Sequence, residues 1–394
     1  MTALGALRNL TVTSQNSKNR QYETIMNLLK LKTTAATVAG FSALAVVSAH
    51  AGLKDGMKEG TPALKSIGAL AFGPEGILFA ADPKGAAVFA IDTSGETAAS
   101  GDFAKIEKLD EKIAAVLGTS KDNISIEDLT VNPDSRAVYV SVQRGRGPDA
   151  KPALIHISGG KLELVKMDKV KFSSAELTNA PEDKEVGEGR RKQNLRTSSI
   201  TDMAWIDGKV AVAGLSNEEF ASTLRVLDFP FDGKGASSSV EIFHGAHGKL
   251  ETHSPIRTLL PLEIAGEPNI VASYTCTPLV TIPVKQIQPK AHIKGNTVAE
   301  LGNRNQPLDM IEYEKDGKQF ILMANSARGI MKIGTDGMEN AKSISERVEG
   351  TAGVGYDTIE EWKGVTQLAK LNATQAVVIQ SDDAGQHLAP VALP

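Results

Sequence analysis

Three of the seven histidines stand close together in the sequence, a pattern that suits metal coordination. His244 and His247 lie three residues apart in a glycine-containing stretch, and His253 follows shortly after. Imidazole nitrogens bind Zn²⁺, Cu²⁺ or Fe²⁺, and Glu251, Cys276 or an aspartate could complete the coordination shell. The pattern therefore predicts a transition-metal site. The alternative is a group of solvated loop histidines.

Three aspartates recur at one position of a repeated strand pattern and predict a second, alternative metal site. Asp128, Asp202 and Asp309 each occupy the third position of a recurring I-x-x-[LM] pattern, at the start of a predicted strand. If the strands converge, the carboxylates form a ring that could hold Ca²⁺. The alternative is that each aspartate hydrogen-bonds nearby backbone and ties one repeat to the next.

Basic and amide side chains in predicted loops indicate a site for a small ligand. Guanidinium groups bind carboxylates and phosphates through paired hydrogen bonds, so an anionic ligand is expected. The alternative is that these side chains are solvated or connect neighbouring repeats. The predicted ligand-binding residues are Arg144, Arg146, Arg257, Asn303, Arg304, Asn325 and Arg328.

The single cysteine, Cys276, excludes an internal disulfide, a multi-cysteine zinc site and c-type haem attachment. It lies in an apolar stretch, where a thiol is an inert small hydrophobe, a soft metal ligand or a nucleophile paired with a histidine. No G-x-S-x-G motif and no P-loop occurs in the sequence. The sequence therefore assigns no catalytic residue.

The composition is that of a globular protein and excludes several classes of function. The chain has 394 residues, 41% of them hydrophobic and 23% charged, with a formal net charge of −4. A nucleic-acid-binding protein usually has an excess of basic residues, and this chain has none, so nucleic-acid binding is not expected. We expect a small molecule or a protein as the partner, and a monomeric chain.

The N-terminal region has the pattern of an export signal. Residues 26–51 combine two lysines, an uncharged apolar stretch and a final A-x-A motif, so they predict a cleavable signal peptide. Residues 1–25 are polar and suggest a mis-assigned translation start. We expect a single domain over residues 52–394, a periplasmic or secreted location and no membrane span.

The elements that must position these residues form six imperfect repeats. Each copy begins with the pattern I-x-x-[LM] and continues through two further short strands separated by Gly, Asp, Asn or Pro turns. Such repeats predict an all-β fold, a six-bladed β-propeller, with seven blades also compatible. The copies begin at Ile67–Leu70, Ile126–Leu129, Ile200–Met203, Ile256–Leu259, Pro307–Met310 and Val365–Leu368.

Three connecting segments carry further expectations. A strand after the second repeat (KLELVKM) is expected to be the fourth strand of that blade, and residues 53–65 to supply an outer strand of the last blade. Residues 166–199 and 337–363 lack a strand pattern and predict long loops, the second with a short helix. Inner-strand starts and second-to-third-strand turns share one face, so the predicted site is the mouth of the central channel on that face.

The repeat pattern over residues 64–394 resembles the six-bladed propellers that include NHL-repeat, strictosidine-synthase-like and gluconolactonase-like proteins, and exported bacterial propellers. Gluconolactonase-like enzymes hold a divalent metal on the channel axis with Glu, Asn and Asp. The comparable residues here are Glu127 or Asp128, Asp202 and Asp309, and the Asn ligand has no counterpart. The resemblance implies a metal-dependent lactonase or esterase, although fold alone does not determine chemistry.

Three functions therefore follow from the sequence. The first is an exported binding module that holds a ligand or metal at the channel mouth. The second is the metal-dependent hydrolase, with a metal-bound water as its nucleophile. The third is a periplasmic redox protein with a metal at the histidines and a quinone-type cofactor. Convergence of the aspartates favours the second, and convergence of the histidines, especially with Cys276, favours the third.

Overall fold

Short antiparallel strands build most of the chain over residues 52–96, 103–189 and 192–394, which a computed structural model describes. The predicted signal peptide, residues 26–51, and residues 1–25 lie outside these ranges. In the described ranges, one α-helix, α1, spans Leu109–Val116, and no helix is long and apolar enough to cross a membrane. The strands are β1 Lys58–Gly60, β2 Leu70–Phe72, β3 Ile77–Asp82, β4 Ala87–Asp92, β5 Ile124–Val131, β6 Val138–Arg144, β7 Lys151–Ser158, β8 Lys161–Leu164, β9 Val170–Glu176, β10 Glu185–Val186, β11 Gln193–Asn194, β12 Asp202–Ile206, β13 Lys209–Leu215, β14 Ser222–Asp228, β15 Gly235–His244, β16 Lys249–Glu251, β17 Thr258–Ile264, β18 Glu267–Ser273, β19 Pro278–Pro283, β20 His292–Lys294, β21 Asn296–Leu301, β22 Pro307–Lys315, β23 Lys318–Asn325, β24 Gly329–Gly334, β25 Thr351–Gly353, β26 Asp357–Ile359, β27 Val365–Lys370, β28 Gln375–Asp382 and β29 Gly385–Ala392.

Six sheets form the blades of a β-propeller, as the repeats predicted. Blades are numbered by the chain order of their innermost strands. From the innermost strand outward, blade 1 is β2-β3-β4-β9-β1 and blade 2 is β5-β6-β7-β8. Blade 3 is β12-β13-β14-β15-β16, with β20 also paired, in parallel, to β15. Blade 4 is β17-β18-β19-β21-β25, blade 5 is β22-β23-β24-β26 and blade 6 is β27-β28-β29. The strand expected after the second repeat is β8, which pairs with β7.

The blades do not follow one another around the ring in chain order. A buried apolar core fills each of the six spaces between neighbouring blades, and its members identify the neighbours. Blade 2 shares one core with blade 6 and another with blade 1, whereas blade 1 also shares a core with blade 3. The remaining cores join blades 3 and 4, 4 and 5, and 5 and 6. The ring order is therefore 2-1-3-4-5-6.

This order corrects two expectations about the connecting segments. Residues 53–65 do not complete the last blade, because β1 pairs with β9 at the outer edge of blade 1. Residues 166–199 do contain a strand, since β9 returns from blade 2 to become the fourth strand of blade 1. Val170 and Phe172 alternate with lysines, and both pack on the core between blades 1 and 2. An alternation with only two apolar residues is too short to predict a strand.

The outer edge of blade 6 is covered by residues 103–117 instead. Ile106 forms a bridge to Leu388 in β29, with backbone bonds of 2.8 and 3.0 Å. Helix α1 buries Leu109 and Ile113 in the core between blades 2 and 6. Farther along, residues 337–363 also differ from the predicted loop. They contain β25 and β26, which extend blades 4 and 5, and a 3₁₀ turn at Met338–Asn340 in place of the expected helix.

The contribution of this covering segment can be measured with one substitution. Leu109 is fully buried, so Leu109→Ala removes apolar contacts and leaves a cavity. We expect a loss of about 2–5 kcal/mol in the free energy of unfolding, measured by urea denaturation. Leu250→Ala is the control, because Leu250 is 56% exposed. Equal effects of the two substitutions would show that residues 103–117 are not an integral part of the ring.

Candidate functional site

The inner strands place the three repeated aspartates at alternate positions around the channel. Each aspartate accepts one hydrogen bond from the next N–H of its own strand and one from the inner strand of a neighbouring blade. The bonds run to Asp128 from Leu129 (2.7 Å) and Leu70 (2.6 Å), to Asp202 from Met203 and Leu259 (2.7 Å each), and to Asp309 from Met310 and Leu368 (2.7 Å each).

These bonds tie the ring together as three pairs of blades. Blade 2 is joined to blade 1, blade 3 to blade 4 and blade 5 to blade 6. In the described ranges, the three aspartates are not a group whose candidate ligand atoms all lie within 4.8 Å of one another. The geometry gives them the connecting role that the sequence left open as the alternative. A cation at this ring stays a prediction.

Burial and mutual repulsion raise the pKa values of the aspartate carboxyls. Burial is the larger cause at Asp128, whose pKa rises to about 8 with a further contribution from the charge of Asp202. The pKa of Asp202 rises to about 6 through burial, against the opposing charge of Arg257, and that of Asp309 is raised well above its usual range by burial and by Asp128. The ring therefore retains protons near neutral pH and carries less negative charge than three carboxylates would.

A polar cavity of about 590 Å³ lies directly above this ring, at the mouth of the channel. Its wall is built from all six blades, because it includes residues just before or at the start of each inner strand. Three cationic side chains and one carboxylate line it, which gives the wall a positive balance. These charged residues are Lys84, Arg146, Arg257 and Glu127, and the amides of Gln143 and Gln367 also face the cavity. The volume is within the range of small-molecule sites.

Two polar atoms of this wall are buried without a partner in the part of the chain that the structure describes. One is the Nε donor of Arg257, whose guanidinium makes no hydrogen bond and no ion pair there within 4.0 Å. The other is the Oε1 acceptor of Gln143, whose amide nitrogen donates to the carbonyl of Ile67 (2.7 Å). Arg146, by contrast, donates to the carbonyl of Asp122 (3.0 Å). Arg257 is thus the cation most available to a ligand.

The other predicted ligand residues do not line this cavity. Arg144 donates to the carbonyl of Gly118 (3.4 Å) outside it. Asn303, Arg304, Asn325 and Arg328 lie around the entry to blade 5 and its β23–β24 turn. The guanidinium of Arg328 donates to Asn303 (3.2 Å), and the buried amide of Asn325 donates to Asn305 (3.0 Å). The structure therefore brings together only Arg146 and Arg257 from the predicted set.

Lys84, Gln143 and Gln367 line the mouth and were missed. Lys84 occupies the turn between the second and third strands of the first repeat. Such turns were predicted to lie on the face of the channel mouth, so Lys84 was predictable as a lining residue. Gln143 and Gln367 had no comparable signal, because a lone glutamine at a strand end is common on any surface.

The predicted histidine cluster is brought together in part, away from the channel mouth. His244 and His247 lie beside Cys276, and one candidate ligand atom from each falls within 4.8 Å of the others. His253 does not belong to this group and instead contacts the hydroxyl of Thr252 (2.9 Å). None of these residues lines the mouth cavity.

No family model and no curated protein matches the chain. Solved structures with a similar course of the chain include the PQQ-bound aldose sugar dehydrogenase of Streptomyces coelicolor (12% identity over 85% of this chain and 97% of that one, TM-score 0.33). The apo form of the soluble aldose sugar dehydrogenase of Escherichia coli matches at 12% identity over 86% and 99% (TM-score 0.30). The extracellular region of plexin A4 matches at 10% identity over 86% and 40% (TM-score 0.39). At this distance these structures carry no information about the ligand or the reaction of this chain.

Proposed function

We propose that this propeller is a binding protein for a small organic anion, held in the mouth of the central channel. The observation that carries the proposal is the guanidinium of Arg257. It faces a polar cavity and has no partner among the described residues. Arg257 is half-buried and its Nε is fully buried without a partner, so its guanidinium has lost part of its solvation, and a ligand carboxylate or phosphate would supply the missing acceptor.

The other polar groups of the cavity wall indicate which further chemical groups the ligand carries. The unpaired Oε1 of Gln143 accepts hydrogen bonds, and hydroxyl groups on a ligand would supply the donors. Ser125, Thr201 and Thr366 add further hydroxyl partners around the cavity. A hydroxylated carboxylic acid combines both features and is the ligand class we assign to the site.

The hydrolase hypothesis is less well supported by this geometry. It requires the aspartate carboxylates to hold a metal, and every carboxylate oxygen already accepts a backbone hydrogen bond. A binding role needs no such metal. The predicted periplasmic or secreted location is compatible with a binding protein that collects a small molecule outside the cytoplasm, and it remains a prediction.

The ligand class is tested by a matched pair of probes. Glucuronate and glucose share their ring and most hydroxyls, but only glucuronate carries a carboxylate. We expect the full-length protein to bind glucuronate at least 10-fold more tightly than glucose in isothermal titration calorimetry, since a charge-assisted pair contributes about 1.5–3 kcal/mol. Equal affinities, or binding of neither sugar at millimolar concentration, would contradict an anion site of this kind.

A further inference from the structure

We infer that His244, His247 and Cys276 form a mononuclear copper site between blades 3 and 4. His244 ends β15, and His247 lies in the turn that follows, in blade 3. Cys276 lies in the turn between β18 and β19 of blade 4. Their candidate ligand atoms lie within 4.8 Å of one another, so small side-chain adjustments would bring all three onto one ion. None of them lines the channel mouth, which makes this site independent of the proposed anion site.

One carboxylate contacts both imidazoles and fixes their rings. The Nδ1 atom of His244 contacts Glu251 Oε2 (3.0 Å), and that of His247 contacts Glu251 Oε1 (2.7 Å). A carboxylate accepts hydrogen bonds, so each Nδ1 carries the proton and each Nε2 keeps its lone pair. Metal-binding histidines commonly have such a carboxylate behind them. The buried Nε2 of His244 has no partner within the described residues, as expected of a ligand atom.

The backbone around Cys276 is held in an uncommon conformation. Cys276 and Thr277 both have positive φ angles, 66° and 50°, which are uncommon for residues other than glycine. The turn is fixed by the Cys276 N–H, which donates to Asn305 (2.8 Å), and by the Thr277 hydroxyl, which donates to Gly302 (3.0 Å). Strained backbone of this kind persists where surrounding contacts hold it and is frequent at functional sites.

The surroundings of the histidine turn also indicate a cation. Glu300 is fully buried, and one of its carboxylate oxygens accepts the N–H of Gly245 (2.5 Å). Its other oxygen, Oε2, has no hydrogen-bond partner in the described ranges. An incompletely paired buried carboxylate is costly, and a positive ion bound to the adjacent histidines would offset that cost. His247, with 47% of its side chain exposed, leaves the site open on one side.

The donor set favours copper over other metals. Two imidazoles and one thiolate form the three-ligand set of known copper sites, and thiolate is a soft ligand that prefers Cu(I). Three ligands converge here among the described residues, which excludes a four-ligand structural zinc site and leaves a three-ligand zinc site with an open position as the competing assignment that the test below separates. Magnesium and calcium require oxygen donors. Copper also binds more strongly than other divalent first-row metals to a given nitrogen and sulfur site.

The test is anaerobic titration of the full-length protein, freed of tag histidines, with Cu(I) against a competing chelator. We expect one Cu(I) per chain and an X-ray absorption spectrum with one sulfur and two nitrogen neighbours. Cys276→Ser should lower the Cu(I) affinity by at least 100-fold and remove the sulfur signal. Glu251→Gln should lower it by about 10- to 100-fold, because Glu251 positions both ligands without touching the metal.

His253→Ala is the matched control, since His253 is an exposed neighbouring histidine outside the group, and it should bind Cu(I) as the wild type does. Thermal unfolding of each metal-free variant separates loss of the site from loss of the fold. Unchanged Cu(I) affinity in a folded Cys276→Ser protein would overturn the proposal. Preferential retention of zinc when both metals are supplied equally would overturn the assignment to copper.

Discussion

Replacing Arg257 with alanine is expected to weaken glucuronate binding by about 10- to 100-fold. Among the described residues the Arg257 guanidinium has no protein partner, so its removal costs the protein no ion pair but deprives the ligand carboxylate of its counter-charge. A charge-assisted pair contributes about 1.5–3 kcal/mol, which corresponds to this loss of affinity. Calorimetric titration of the two proteins gives the ratio directly.

Two variants separate this effect from a general change in charge. Arg257→Lys keeps the charge but loses the planar, two-pronged donor geometry, so its affinity should lie between those of the wild type and Arg257→Ala. Arg144→Ala removes an equal charge from a side chain outside the mouth cavity and should bind glucuronate normally. Equal losses for Arg257→Ala and Arg144→Ala would indicate only a diffuse electrostatic effect and would contradict a specific role for Arg257.

The free energy of unfolding of the protein is expected to fall as the pH rises from about 4 to about 8. The folded state keeps protons on Asp128 and Asp202 up to pKa values of about 8 and about 6, whereas the unfolded chain releases them near 3.8. Between these values the unfolded state binds fewer protons, so each rise in pH favours unfolding. The two-unit shift at Asp202 alone corresponds to about 3 kcal/mol.

Variants at Asp202 test both the sign of this dependence and the role of the ring. Asp202→Asn cannot ionise and should flatten the change in urea midpoint between pH 5 and pH 8. Asp202→Ala leaves the N–H groups of Met203 and Leu259 without an acceptor and should lose about 2–5 kcal/mol of stability at pH 5, with a smaller loss at pH 8. A wild-type protein whose stability rises over this pH range would show that the carboxyls are fully ionised in the folded state.

The blade architecture was predictable because each repeat carries its own strand pattern and its own turn residues. The ring order was not, because the pattern beginning at Ile126 is the same whichever blade lies beside it. Only the packed cores show that blade 2 lies between blades 6 and 1. Strand β9 was missed for a related reason. Its pairing partner is β4, and all the strands of blade 2 lie between the two in the chain, so the repeat pattern did not connect them.

A site residue was predictable where its place in the repeat is enough to assign it to the face of the propeller that carries the channel mouth. Arg257 stands at the start of an inner strand, so its place at the mouth followed from the repeat pattern. His253 and Cys276 show the limit of this reasoning. His253 is close to His247 in sequence but lies outside the cluster. Cys276 joins the cluster from the adjacent blade, through a turn in which Cys276 and Thr277 have positive φ angles. Neither residue type predicts such a turn.

A crystal structure of the protein with glucuronate would show whether the channel mouth holds a small organic anion. We expect the sugar in the cavity above the aspartate ring, with its carboxylate hydrogen-bonded to the guanidinium of Arg257 and a hydroxyl donating to Gln143 Oε1. Glucuronate bound elsewhere, or a mouth without bound glucuronate at a concentration that saturates the protein in solution, would contradict it.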